Sequence, residues 1–310
     1  MTRFFQQFLN FEKIRILKDR FAEKSLFVFM LIFGLALFLI ILVLFLRTHP
    51  IHTMMTLPNL LFSTVWKPSK GLFGFLPFIA GSLWVTGVAM AIAIPICLLT
   101  SLYLVEYAPA KLRELISPLI DILAGIPSVV YGIWGVLAIV PFIKNYLAPL
   151  FGISSTGYSI AAGGIVLAIM VFPVIIHISV EILKAVPKDM KDASLALGAT
   201  KWQTIKHVVM KRAMPGIVAA IVLALSRAFG ETIAVLMVVG NVARIPKSLF
   251  DPAYPLPALI ANNYGEMLSI PMYDSALLFA ALLLLLVVLY FNIISRMILS
   301  GSKWSSYYYG

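Results

Sequence analysis

EILKAVPKDMKDASLALGATKWQTIKHVVMKRAMPGIVAAIVLALSRAFGETIAVLMVVGN, residues 181–241, places a basic polar loop directly before an apolar helix that carries an arginine and a glutamate at its middle. In the loop, Pro187 suits a first helical position, and Lys188 to Leu197 predicts a short helix with Met190, Ala193, Leu195 and Leu197 available for burial. Gly198 is placed to end that helix in a left-handed conformation. Thr200 with Gln203 three residues on forms a capping box for a second helix, which Pro215 is expected to interrupt. A short helix between two breaks makes a rigid knob suited to receiving motion from a partner. An ordinary basic loop would only fix topology.

The apolar part reads as a membrane span over about 216–238. On a helical wheel Ala220, Ala224, Arg227, Glu231, Ala234 and Val238 share one face, and Val218, Val222, Leu225, Phe229, Ile233 and Leu236 cover the other. A charge at the bilayer centre costs at least about 2.5–3.5 kcal/mol on insertion scales, so the charged face must look into the bundle or a wet cavity. Arginine suits a tetrahedral oxyanion because its planar guanidinium offers fixed donors and keeps its charge. Glu231, one turn on, either pairs with Arg227 or is paired by a basic residue of another chain. The bland alternative is an intrahelical ion pair that neutralises itself.

The rest of the chain is organised around this pair of segments. With 310 residues, 61% hydrophobic and 12% charged, the composition is that of a polytopic all-α membrane protein. Spans are expected at about 26–46, 78–102, 120–141, 158–180, 216–238 and 275–298, preceded by an N-terminal segment 1–25 and followed by a tail 299–310. Segment 1–25 reads either as an interfacial helix or as a short tail whose aromatics touch the headgroups. Small residues Ala161, Ala162, Gly163 and Gly164 open the fourth span and permit close helix approach. Asp121 reads as an N-terminal interface residue of the third span, and His177 as an interhelix contact rather than a proton carrier. Tyr131 and Trp134 either line a cavity or pack.

The net charge of +11 is read as orientation and not as a nucleic-acid signal. With the N-terminus inside, cytoplasmic segments hold 17 of the 24 Lys and Arg residues and external ones hold 6, Arg227 being the one left in the membrane. Both termini and the loop 181–214 are therefore expected in the cytoplasm, with the longer segments 47–75 and 241–274 outside. Cys97 lies in an apolar run and cannot form an intrachain disulfide, and His49 and His52 have no third ligand nearby, so no metal site is expected. There is no Gly-Lys dipeptide and hence no phosphate loop, so the chain is read as a non-enzyme whose energy source is another subunit.

Three motifs carry a resemblance. Asp192-Ala193-Ser194, Gly198, Val208 and Met210 resemble the E-A-A-x3-G-x9-I-x-L motif by which membrane subunits of bacterial ABC importers dock on their ATPases, with Asp192, Ser194, Val208 and Met210 as departures. Arg227-Ala228-Phe229-Gly230-Glu231-Thr232 is similar to the R-A-x-G-E-T signature of phosphate importer permeases, and Ile126-Pro127-Ser128 through Gly135 points the same way. The resemblance spans about residues 75–298 and favours the PstC-type over the PstA-type subunit. It implies the type I importer permease architecture, with six transmembrane helices and a cytoplasmic coupling helix, in a bacterial inner membrane.

The resemblance further implies a PstA-type sister permease, two PstB-type ATPases that bind the ATP and Mg, and an external PstS-type phosphate-binding protein. Arg227, Glu231 and Thr232 would lie on the path of inorganic phosphate, and Asp192, Ala193, Ser194 and Gly198 would couple to the ATPase. Another oxyanion such as molybdate or sulfate is the alternative cargo. A secondary transporter is disfavoured by the docking loop and by the lack of a detectable inverted repeat.

Overall fold

Apolar runs of this length leave the backbone one economical solution in a bilayer, the helix, which satisfies every amide within its own segment. The computed structural model describes residues 2–265, 270 and 272–301, so the expected tail beyond residue 301 and Pro271 lie outside the described residues. Among the described residues six helices are long and apolar enough to cross a membrane: Lys18–Thr53, Leu76–Glu106, Ser128–Leu150, Ile160–Lys184, Lys201–Phe229 and Tyr273–Ile298. They are referred to below as spans one to six.

Three boundaries differ from the sequence expectation. The first span is part of one helix, Thr2–Met54, so residues 2–25 of the N-terminal segment are helical and continuous with the span. At 1.5 Å per residue its 53 residues reach about 80 Å. The third span does not run over 120–141: a helix Ala110–Gly125 ends there, and the span begins at Ser128. The cause is Pro127, which forces Ile126 into extended geometry (φ −69°, ψ 127°). The fifth span ends at Phe229, not at 238, and a separate short helix, Ile233–Val238, follows. Pro215 does not interrupt that span; it sits inside the helix Met210–Phe229.

The third span contains two widened π turns, Gly135–Ile139 and Ile143–Leu147. Pro141 and Pro149 each follow one of them by two residues, and the carbonyls their rings would strike, at Leu137 and Asn145, lie inside the widened turns. The extra residue per turn moves the carbonyl off the ring.

Spans two and four form the tightest pair. Gly163 and Gly164 face Val85 and Val88, and a Cβ added at Gly164 would stand 2.8 Å from Val88 Cβ. The small residues therefore do what their types suggest: Ala161 and Ala162 are buried beside them, and Ala89, Ala93, Cys97, Leu167, Val171 and Ile175 extend the seam as a core. Cys97 is a buried apolar filler here, its thiol near the Phe172 carbonyl at 3.8 Å.

The two long connecting segments at the opposite end from the loop 181–214 are folded together. A two-stranded hairpin, Trp66–Lys67 with Leu72–Phe73, turns at Gly71 (φ 68°). Trp66 stands edge-on to Phe73, Phe75 and Phe78 at 4.8–5.5 Å. Helix Leu256–Asn263 joins this cluster, and its first amide donates to Ser82 Oγ of span two at 2.9 Å. His52 packs edge-on to Phe279 in the same layer.

The span two and four seam yields a stability test. Gly164→Leu is expected to cost about 1–3 kcal/mol by overpacking and to lower the melting temperature of the purified protein. Gly34→Leu, where nothing lies within 4 Å of an added Cβ, is expected to leave it unchanged. Equal melting temperatures for the two would show that the seam has slack.

Candidate functional site: a coupling knob and a charged break

The loop after span four folds as its residue types require. Pro187 is the N-cap and not the first helical residue, one position earlier than expected, and the helix is Lys188–Ala196. Gly198 takes φ 85°, and the amides of Gly198 and Ala199 donate to the carbonyls of Leu195 and Ser194. This is the glycine-terminated helix end, which an L side chain enters only with strain. Thr200 and Gln203 form the reciprocal capping box: the Gln203 amide donates to Thr200 Oγ1, and the Thr200 amide donates to Gln203 Oε1. A π turn at Ile205–Val209 then leads into the main body of span five.

The two arms of the knob are tied by the hydroxyls of Ser194 and Thr204, 2.9 Å apart. Ser194 thus braces the knob from inside, whereas Asp192 and Ala193 face solvent. The expected apolar residues are not buried within this chain. Met190, Leu195 and Trp202 are exposed, and Leu197 is 90% exposed. A helix that keeps its apolar side chains outward next to a carboxylate offers a surface for a partner.

One contact at the knob escaped the sequence reading. Lys191 Nζ lies 2.6 Å from Glu106 Oε1, at the last residue of span two. The ammonium of Lys201 also stands 4.3 Å above the ring centre of Tyr107. The one signal that could have shown the first contact is an acid at the basic end of an otherwise uncharged span.

Around Arg227 the structure corrects the wheel. The helix stops at Phe229; the amides of Gly230 and Glu231 close tight turns onto the carbonyls of Arg227 and Ala228. Thr232 Oγ1 donates to the Gly230 carbonyl at 3.2 Å, a local bond that competes with continued helix. Arg227 and Glu231 are therefore not neighbours on one helical face, and no ion pair within 4.0 Å joins them among the described residues. Arg227 is exposed at the edge of the chain, where its charge complements the helix C-terminus.

Glu231 turns the other way. It is partly buried and lines a cavity of about 10 Å³, room for about one water, together with Ser82 and Thr86 of span two, Pro255 and Pro257. Of the face expected to look into the bundle, Ala220, Ala224, Ala234 and Val238 are buried and Arg227 is not; on the other face Phe229 packs edge-on to Phe291.

Span five is held in azimuth by span six. Asn292 Nδ2 donates to Ser226 Oγ at 2.8 Å, and Ser295 Oγ donates to the Ala219 carbonyl at 3.0 Å. Ser226 inward leaves its neighbour Arg227 outward. Elsewhere, His177 Nε2 lies 2.9 Å from Asp121 Oδ1, an interhelix contact. Asp121 is near the C-terminal end of helix Ala110–Gly125, so the N-terminal interface reading does not hold.

Comparison with known proteins bears on what this arrangement is for. The family described as "Binding-protein-dependent transport system inner membrane component" matches residues 93–301. The chain is 39% identical over 240 residues to the "Probable ABC transporter permease protein YqgH" of Bacillus subtilis (strain 168), covering 77% of this chain and 76% of that one. It is 36% identical over 252 residues to the "Phosphate transport system permease protein PstC" of Xylella fastidiosa (strain 9a5c), covering 77% of each. Among solved structures, the MetNI methionine ABC transporter in inward-facing conformations matches with TM-score 0.57 at 21% identity, covering 76% of this chain and 99% of that chain.

The left-handed turn gives the test of the knob. Gly198→Val is expected to destabilise it by roughly 1–2 kcal/mol and to speed tryptic cleavage at Lys201 severalfold, while Gly198→Asn is better tolerated. Indistinguishable digestion of wild type and Gly198→Val would show that the turn is not needed to hold the knob.

Proposed function

The chain belongs to the family of binding-protein-dependent transport system inner membrane components, and from that premise we propose that it is one permease subunit of an ATP-driven importer of inorganic phosphate. The observation that carries the reading is the exposed Arg227 beside a helix break in a span, facing away from its own bundle. A charge held in the membrane is retained where it meets a ligand, a partner or water. A guanidinium at a helix end offers several donors to one oxyanion.

In this reading a PstA-type sister permease covers the Arg227 side, and the path runs between the two chains. Thr232 keeps the break open, and Glu231 sets the inner wall next to Thr86. PstB-type ATPases receive the knob through Asp192, Ala193 and the exposed Leu197 and Trp202, and supply the ATP and Mg chemistry. A PstS-type phosphate-binding protein delivers its cargo to the aromatic layer around Trp66. The permease alternates between openings toward that layer and toward the knob. Lys and Arg placement supports the knob and both termini being cytoplasmic in a bacterial inner membrane.

The arginine decides the reading. Arg227→Gln is expected to lower uptake of labelled phosphate by about 100-fold or more, with the complex still assembled, and Arg227→Lys by less. Excess unlabelled molybdate or sulfate is expected not to compete. Near-normal uptake by an assembled Arg227→Gln complex would remove Arg227 from the path. Glu231→Gln, with no ion pair to Arg227 to break, is expected to slow turnover without loss of assembly.

Orientation has its own check. A cysteine placed at Ser25 is expected to be shielded from an impermeant thiol reagent in intact cells, and one near Pro255 to be labelled. Labelling at position 25 from outside would invert the topology.

A further inference from the structure

Glu106 is the last residue of the span-two helix, where the carbonyl ends of the helix disfavour a negative charge. Its side chain is only 10% exposed, which removes most of its hydration as well. Span two gains nothing from such a residue by itself. Its terminal carbonyls are already satisfied by Arg113, whose Nε and Nη2 donate to Leu104 and Val105 at 2.9 and 3.1 Å. The carboxylate is compensated from elsewhere: Lys191 Nζ, 85 residues on and 21% exposed, donates to it at 2.6 Å. Lys191 belongs to the coupling helix Lys188–Ala196, and the Lys201 ammonium over Tyr107 makes a second contact at the same joint.

The coupling helix is directly continuous with spans four and five, and the roots of its loop share an apolar cluster with Leu98, Leu102 and Val105 of span two. The Lys191–Glu106 bridge adds a polar tie from the coupling helix itself to the end of span two. The far end of span two carries Ser82, which holds helix Leu256–Asn263, and Thr86, which shares a cavity with Glu231. We propose that the Lys191–Glu106 pair is a strut that makes span two move with the coupling helix, so that a push on the knob reaches the Thr86–Glu231 wall along a rigid helix. Both residues are positioning residues and touch no cargo. The inference rests on the reading of the chain as an ATPase-driven permease, and does not depend on which anion it carries.

The test uses the full complex in proteoliposomes with E106K, K191E, the swap E106K/K191E and the milder E106Q. Each single variant is expected to keep its ATPase on purification and to lower the ratio of phosphate imported to ATP hydrolysed by about tenfold, with the swap returning to within about twofold of wild type. Wild-type ratios in the single variants, or a swap no better than they are, would overturn the proposal. So would loss of the ATPase from every variant, which would make the pair an assembly contact only.

A second readout needs no cargo. With Cys97→Ser and a cysteine at Thr86, the labelling rate by a small thiol reagent is expected to change about fivefold between nucleotide-free and ATP-vanadate states in wild type and swap. It is expected to stay flat in the single variants. A flat wild-type response overturns the strut. If wild type imports no phosphate while labelling still follows nucleotide, the cargo assignment has failed and the strut stands.

Discussion

Backbone amides inside a bilayer have no water to fall back on, so each departure from helix must be repaired by the protein itself. The breaks at Pro127 and Gly230 obey this rule with local means. Tyr131 donates its hydroxyl to the Leu123 carbonyl at 2.8 Å, beside the longer bond that carbonyl accepts from the Ile126 amide where helix Ala110–Gly125 ends. Thr232 does the same for Gly230. The two breaks are also neighbours in space, since a Cβ added at Gly132 would meet Ala234 and Met237 of the short helix after the second break. These two breaks are therefore gathered in one place, against the helices that carry Arg227 and Tyr131.

Against this irregular half stands the seam of spans two and four. Glycine and alanine let their backbones approach, and the seam has little room to shear. Below it, Leu183, Val186, Val209, Ala213 and Ile217 pack with Leu98 and Leu102, so the roots of the loop 181–214 share one apolar cluster with span two. Close seam and broken helices divide the chain into a tightly packed part and an irregular one.

What was legible in the sequence was local chemistry. Gly198, Thr200 with Gln203, and the run Ala161 to Gly164 each require one backbone geometry or one packing distance whatever surrounds them, and each has it. The spans were legible as apolar runs, but not their ends. The run through Ile126 and Pro127 keeps its hydrophobicity while the helix stops, and the wheel drawn through Gly230 assumed a continuity that Thr232 breaks with a single hydroxyl. Arg227 and Glu231 look paired only if four residues mean one turn. Glu106 and Lys191 were out of reach for another reason: nothing in either segment alone names a partner 85 residues away.

The first helix, finally, is attached very unevenly. Its side chains from Phe21 to Leu46 are largely exposed, and among its described side chains the buried ones are Thr48 and Ile51, close to its Met54 end beside the aromatic layer. Burial within the chain thus holds this helix at its Met54 end, while the flank from Phe21 to Leu46 is open. The lean of such a helix is left to the match between its apolar length and the thickness of the hydrocarbon slab, and to whatever stands beside it. What meets this open flank, lipid or a partner, therefore sets its angle, while the angle between spans two and four is held by packing within the chain itself.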